Sequence, residues 1–168
     1  MVVGGDKFSY PEDPASPAAF LLETKLLLNS TISDAKKGAR FLICDLKDNF
    51  LASPMLRLEF MKIPLSQFPS DIIAHYNLRE KVSDGFIYYK LKRGMYDLKQ
   101  AALLAYDHLV KCLAPHGYRP MKHTLGMWEH ESQPTKFCLC VDDLGVKYFD
   151  KQDAEHLLNS YVITVDLI

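Results

Sequence analysis

Three aspartates stand where divalent-metal chemistry would need them. Asp45 closes the apolar run Phe41-Leu42-Ile43-Cys44, and Asp142-Asp143 lie together between apolar flanks. If the strands carrying them are neighbours, three carboxylates meet at one edge of a sheet. Each like-charge pair at about 4 Å would then cost on the order of 4 kcal/mol at an effective dielectric of about 20. Such a group persists when it is protonated, solvated or bound to cations. Carboxylate oxygens suit Mg²⁺ or Mn²⁺, ions that keep part of their water shell and recruit substrate phosphates. Two of these ions about 4 Å apart clamp both oxygens of a phosphoryl transfer. The plainer alternative is that Asp-Asp is a common turn pair and that an acid often ends a strand.

The elements that must position these acids can be read from periodicity. Ser16-Pro17 suits a helix start, and Ala18 to Ile32 reads as the helix. Ala39 to Leu46 reads as a buried strand ending in an acid. Pro64 and Pro69 bracket a loop, after which Ser70 caps a short helix, Asp71 to Tyr76. Phe86 to Leu91, aromatic and β-branched, is a strand. Leu98 to Leu113 carries Ala101, Leu104, Ala105, His108, Leu109 and Cys112 at helical spacing, and Pro115 with Gly117 ends it. Thr135 to Val141 and Leu144 to Phe149 are strands, with Asp142-Asp143 as the tight turn between them. A helix from Asp153 to Tyr161 and a strand from Val162 to Val165 complete the chain. The pattern is α+β: an antiparallel sheet with helices on one face.

Composition narrows the class. The chain has 168 residues, of which 48% are hydrophobic and 24% charged, enough for a single domain with a real core. No apolar run reaches the length of a membrane-spanning helix, and Met1 to Tyr10 lacks the features of a secretory signal. The net charge of −1 argues against a strongly basic nucleic-acid clamp, but charge is unevenly spread. Gly85 to Leu125 holds seven Lys or Arg against two acids, and Asp142 to Ile168 holds six acids against two lysines. Cys44, Cys112, Cys138 and Cys140 form no C-x-x-C pair and read as reduced thiols of an intracellular protein. The six histidines form no metal-ligand pattern and read as structural or surface residues.

Three segments, ARFLICDLKDNFLASPM, LKRGMYDLKQAALLA and FCLCVDDLGV, resemble motifs A, B and C of reverse transcriptases of copia-like LTR retrotransposons. They occur in the family's order, and the segments between them agree in style, so the resemblance spans nearly the whole chain. It implies a polymerase palm, an antiparallel sheet backed by helices, with partial fingers: residues 1–38 as a fingers segment and 39–168 as palm with inserted fingers elements. The implied activity is RNA-directed DNA polymerisation, transfer of a deoxynucleotide to a primer 3′-hydroxyl. Asp45, Asp142 and Asp143 would be the catalytic, metal-binding acids for two Mg²⁺ or Mn²⁺ ions. Phe50 matches the aromatic gate against a ribose 2′-hydroxyl, and Gln100 the motif B position that contacts nucleotide and template. Lys90, Lys92 and Arg93 would lie along a phosphate backbone, with Lys90 and Lys92 on one strand face. Asp6 and Lys7 fall in the fingers segment. Implied partners are a primed RNA or DNA template, a deoxynucleoside triphosphate, and thumb, connection and RNase H regions of a longer polyprotein. No membrane is implied.

The chain also departs from the family. Asp97 stands where relatives usually have glycine, Ala102 where Gly or Pro is frequent, Cys140 where many have Tyr, and Asn49 where an apolar or aromatic residue is usual. Two alternatives therefore stand beside the polymerase: a catalytically inactive retroelement remnant with a structural or binding role, and an unrelated α+β domain whose Asp-Asp is only a turn.

Overall fold

In the computed structural model, which describes residues 9–161 except residue 12, the run ending in Asp45 is an edge strand. This strand, β1 (Arg40–Asp45), follows helix α1 (Leu21–Ser33) and precedes the short helix α2 (Asn49–Ala52). The long strand β2 (Pro54–Pro64), helix α3 (Ser70–His75) and strand β3 (Phe86–Arg93) come next. Helix α4 (Ala101–Leu113), strands β4 (Tyr118–Pro120), β5 (Met127–His130), β6 (Lys136–Cys140) and β7 (Asp143–Tyr148), and helix α5 (Lys151–Ser160) complete the described chain. Five strands form an antiparallel sheet in the order β1-β7-β6-β5-β4, and β2 and β3 form a separate two-stranded ribbon. The protein is thus α+β with an antiparallel sheet and helices. No described helix is long and apolar enough to cross a membrane. The expectations for Asp6, Lys7 and the strand Val162 to Val165 lie outside the described residues.

Alternation decides which residues face which layer. Cys44, Leu139, Phe137, Leu144, Val146 and Trp128 point to one face, where Leu109 and Leu113 of α4 and Leu157 of α5 close the main core. The other face carries Phe41, Met127, Cys138 and Cys140 and packs against Leu27 of α1. Helices were expected on one face only. Both faces of β6 are apolar, so both need cover, and α1 supplies the second layer. Much of α1 is itself uncovered, with Leu21, Leu22, Leu26 and Ile32 exposed.

The starts of two helices, α1 and α4, each lie three residues later than expected, for local reasons. Helix α1 begins at Leu21, not Ala18, because the preceding backbone is used by the sheet. The Ala19 N–H donates to Leu139 O at 2.8 Å, and Gly126, at φ +69°, lies so close that a Cβ there would be 1.9 Å from Ala19 N. The Phe20 N–H is taken by the Glu23 carboxylate at 3.0 Å, which closes the helix start. Helix α4 begins at Ala101 because Leu98 to Gln100 form turns, with Leu98 N–H bonded to Met95 O and Ala101 N–H to Leu98 O. Strands β2, β4 and β5 had no counterpart in the sequence reading.

The far end of α1 is held by charge. The Lys147 ammonium, on a 5% exposed residue of β7, donates to Asp34 Oδ2 and Ser30 Oγ, both at 2.6 Å, and to Ser30 O at 3.1 Å. Hydrogen bonds from Lys147 and then Lys37 pull the Asp34 carboxyl down to about 2. A lowered carboxyl stabilises the fold above its unfolded value near 3.8, and that contribution is lost as pH falls toward 2. The melting temperature should therefore drop over this window. In Asp34→Asn it should start lower and fall less steeply, which thermal melts at stepped pH will read.

Candidate functional site

The register brings two of the three acids face to face. Cys44 pairs with Leu144 and Asp45 with Asp143, and the Leu46 N–H donates to Asp142 O at 2.7 Å. A bond from the residue after Asp45 to the residue before Asp143 marks a non-hydrogen-bonded pair. In such pairs the Cα atoms are about 4.5 Å apart and the side chains are at their closest. Asp45 and Asp143 therefore stand side by side on one face, and Asp142 adjoins them at the turn.

This placement depends on a one-residue difference from the expected hairpin. Cys140 pairs with Asp143 and Leu139 with Leu144, so the turn is Val141-Asp142 and not Asp142-Asp143. Leu144 and Val146 must face the core with Leu139 and Phe137, and that demand sets the register. Asp143 consequently leaves the turn and becomes the first strand residue. Val141 takes the cost, with φ +62° on a β-branched residue. Backbone outliers gather here. Of the five described non-glycine residues at positive φ, Asp48 (+55°), Asp97 (+74°) and Val141 flank the acids in sequence or space. Local strain of this kind concentrates at functional sites.

Two neighbours register the acids' field. Cys44, 1% exposed beneath them, has its thiol raised to about 11, chiefly by burial and then by the charges of Asp143 and Asp45. The Tyr96 phenol is raised by burial first, and then by Asp142, Asp48 and Asp45. A single phenol thus senses the turn acid Asp142, the β1 acid Asp45 and a further carboxylate, Asp48. Tyr96 and Asp48 were not anticipated from the sequence, although both lie inside the quoted motifs, in GMYDLKQ and DLKDNF. Among the described residues neither Asp142 nor Asp143 has a cationic side-chain partner.

No family model, curated protein or solved structure gives a significant match to the chain.

The acids fit a divalent ion in one respect and fall short in another. Among the described residues, no three His, Cys, Asp or Glu side chains converge into a ready-made metal cage. Mg²⁺ does not require one, because it keeps several waters and is held by one or two carboxylates together with substrate phosphates. The cross-strand pair Asp45–Asp143 matches that demand, and Asp142 adds charge beside it.

Of the remaining expected site residues, Phe50 reaches the surroundings of the acids through Tyr96, and the others lie apart from them. Phe50 is 8% exposed in α2, with its ring edge-on to Tyr96 at 5.0 Å and packed among Met55, Leu91 and Leu98. Gln100 is 2% exposed and donates to Glu59 Oε1 at 3.4 Å, while its own Oε1 is buried without a partner among the described residues. It lines a cavity of about 260 Å³ with Tyr10, Pro11, Leu56 and Arg57, and none of the acids borders it. Lys90 and Lys92 are exposed on one face of the ribbon, as alternation requires. Arg93 belongs to the other face and donates to Ala52 O at 2.6 Å, tying β3 to α2. Asn49 is buried and accepts from the Tyr161 hydroxyl at 3.3 Å, so it joins α2 to the end of α5.

The seat of helix α2, which carries Phe50, depends on one glycine. A Cβ on Gly94 would lie 2.5 Å from the backbone oxygen of Phe50. Gly94→Ala should therefore push β3 from α2 and cost about 1–3 kcal/mol, the range for overpacked sites, measurable by urea denaturation.

Proposed function

We propose that the chain is the palm, with part of the fingers, of a reverse-transcriptase-type nucleotidyltransferase, and that Asp45, Asp142 and Asp143 form its acidic centre. The observation that carries this reading is the non-hydrogen-bonded pairing of Asp45 with Asp143 beside Asp142. It joins the motif A and motif C acids, 98 positions apart in sequence, at one sheet edge. Two Mg²⁺ or Mn²⁺ ions bound there would supply Lewis-acid stabilisation of phosphoryl oxygens and a more acidic primer hydroxyl. The chain's own part is positional. Antiparallel pairing holds Asp45 and Asp143 at fixed separation, and the strained turn at Val141 presents Asp142. Exposed Asp143 and half-exposed Tyr96 keep the centre open to a substrate. The partners would be a primed RNA or DNA template and a deoxynucleoside triphosphate, with thumb, connection and RNase H regions belonging to a longer polyprotein.

A specific observation favours the second reading, an inactive remnant. Phe50 and Gln100, the expected nucleotide contacts, are both buried, and Gln100 is engaged by Glu59. Primer extension on an RNA template with Mg²⁺ and then Mn²⁺ separates the two. Extension by the chain that vanishes in Asp142→Asn supports the polymerase. Extension only by Asp97→Gly supports an assembled centre silenced at a position whose φ of +74° suits glycine. Silence from all three supports the remnant.

A further inference from the structure

The β2–β3 ribbon has an outer face on which exposed rings alternate with lysines. Its inner residues Met61, Tyr89 and Leu91 pack toward α4. On the outer face Phe60 lies opposite Lys90 and Lys62 opposite Tyr88, with Lys92 next along β3. Phe60 is 65% and Tyr88 56% exposed, and all three lysines are exposed. Lys62 Nζ sits 4.9 Å from the centre of the Phe86 ring at the ribbon's end. None of these outer positions is acidic, since the ribbon's one acid, Glu59, is buried on the inner side with Gln100 and Arg57.

Two large rings open to water at diagonal positions, about 7–8 Å apart on a strand pair, need a reason to remain uncovered. Alternating them with lysines favours one occupant. A second apolar protein surface would have to bury three ammonium groups without partners. A purely acidic surface would leave the rings unused. A single-stranded nucleic acid satisfies both, because its bases stack on exposed rings while its phosphates meet the lysines. A duplex keeps its bases stacked on each other and cannot use the rings.

We propose that Phe60, Tyr88, Lys62, Lys90 and Lys92 form a binding platform for single-stranded nucleic acid, DNA or RNA. It extends the proposed function by giving the chain a binding activity of its own. It requires neither metal ions nor the acids, so its failure is distinguishable from failure of the polymerase reading.

The test is fluorescence anisotropy with labelled oligo-dT, oligo-U and a matched duplex, in EDTA, across a salt series. The chain should bind both single strands more tightly than the duplex. Phe60→Ala/Tyr88→Ala should weaken single-strand binding by about tenfold or more per ring and leave duplex binding unchanged. Phe60→Leu/Tyr88→Leu, which keeps apolar area without a flat ring, should show the same loss. Lys62→Gln and Lys90→Gln should each reduce the salt slope by about 0.7. Unchanged binding in both ring variants, or equal affinity for duplex, overturns the platform. So does a dimer in sedimentation that dissociates in the ring variants, since a second copy would then be the occupant.

Discussion

Trp128→Ala is expected to remove a large share of the stability of this fold, about 3–5 kcal/mol where domains of this size have some 5–15. Trp128 is fully buried in the central part of the five-stranded sheet. Its ring stacks on Phe137 at 5.3 Å and 14°, and meets the Tyr106 ring edge-on at 5.8 Å. Alanine would leave a cavity between β5, β6 and α4, three elements locked by other contacts and unable to collapse into it. Trp128→Phe should cost much less. It keeps the stacking partner and removes an indole N–H that is buried without a hydrogen-bond acceptor among the described residues. That orphaned donor carries a desolvation penalty of about 1–3 kcal/mol in the native protein. Urea denaturation followed by circular dichroism will measure both variants, since the substitution removes the chain's one tryptophan as a fluorescent probe. Equal losses for Ala and Phe would mean that the indole has a partner in solution.

The second large effect belongs to the acidic centre and has opposite signs in two assays. Asp143→Asn should raise stability slightly in EDTA, by about 0.2–1 kcal/mol, because like charges directly opposite each other on paired strands repel. Asp143 is exposed and has no cationic side-chain partner among the described residues, so the substitution removes little else there. In a functioning nucleotidyltransferase, the same change should lower metal-dependent addition about a thousandfold or more, since it withdraws a ligand from the charge-stabilising site. A residue kept for packing would lose stability and activity together. A residue retained for metal chemistry at a cost in repulsion separates them. Thermal melts in EDTA and single-nucleotide addition rates together test this.

How far the sequence revealed these features follows from what each depends on. The run ending in Asp45 was legible as a strand because that needs only local hydrophobicity, and β1 differs from expectation by a residue at each end; it was expected to be buried, but as an edge strand it buries only Cys44 and leaves Ile43 exposed. The hairpin existed where expected, but its turn lay one residue earlier. Only the facing of Leu144 and Val146 with Leu139 and Phe137 selects the register, and that is a tertiary demand. Strand β2 was missed because Pro54–Pro64 mixes Leu, Arg, Glu and Lys without clean alternation and shifts register between Pro54 and Glu59. Strands β4 and β5, three and four residues long, are too short to show a period. The three aspartates were legible from residue type and setting. Tyr96 and Asp48 were not, because they join the acids only through a strained loop and the return of the chain after β3. The exposed rings of the ribbon were invisible for a related reason. Phe60 and Tyr88 look like core residues until β2 and β3 are paired and one face is found open.

The measurement that tests the acidic centre most directly is Mn²⁺ binding, followed by electron paramagnetic resonance of the free ion, in the unaltered chain and in Asp142→Asn/Asp143→Asn. The account predicts that the chain removes Mn²⁺ from solution, that Mg²⁺ competes, and that the double variant binds at least about tenfold more weakly while its melting temperature in EDTA is unchanged or higher. Equal Mn²⁺ uptake by the two proteins, or none by either with deoxynucleoside triphosphate present, would contradict it.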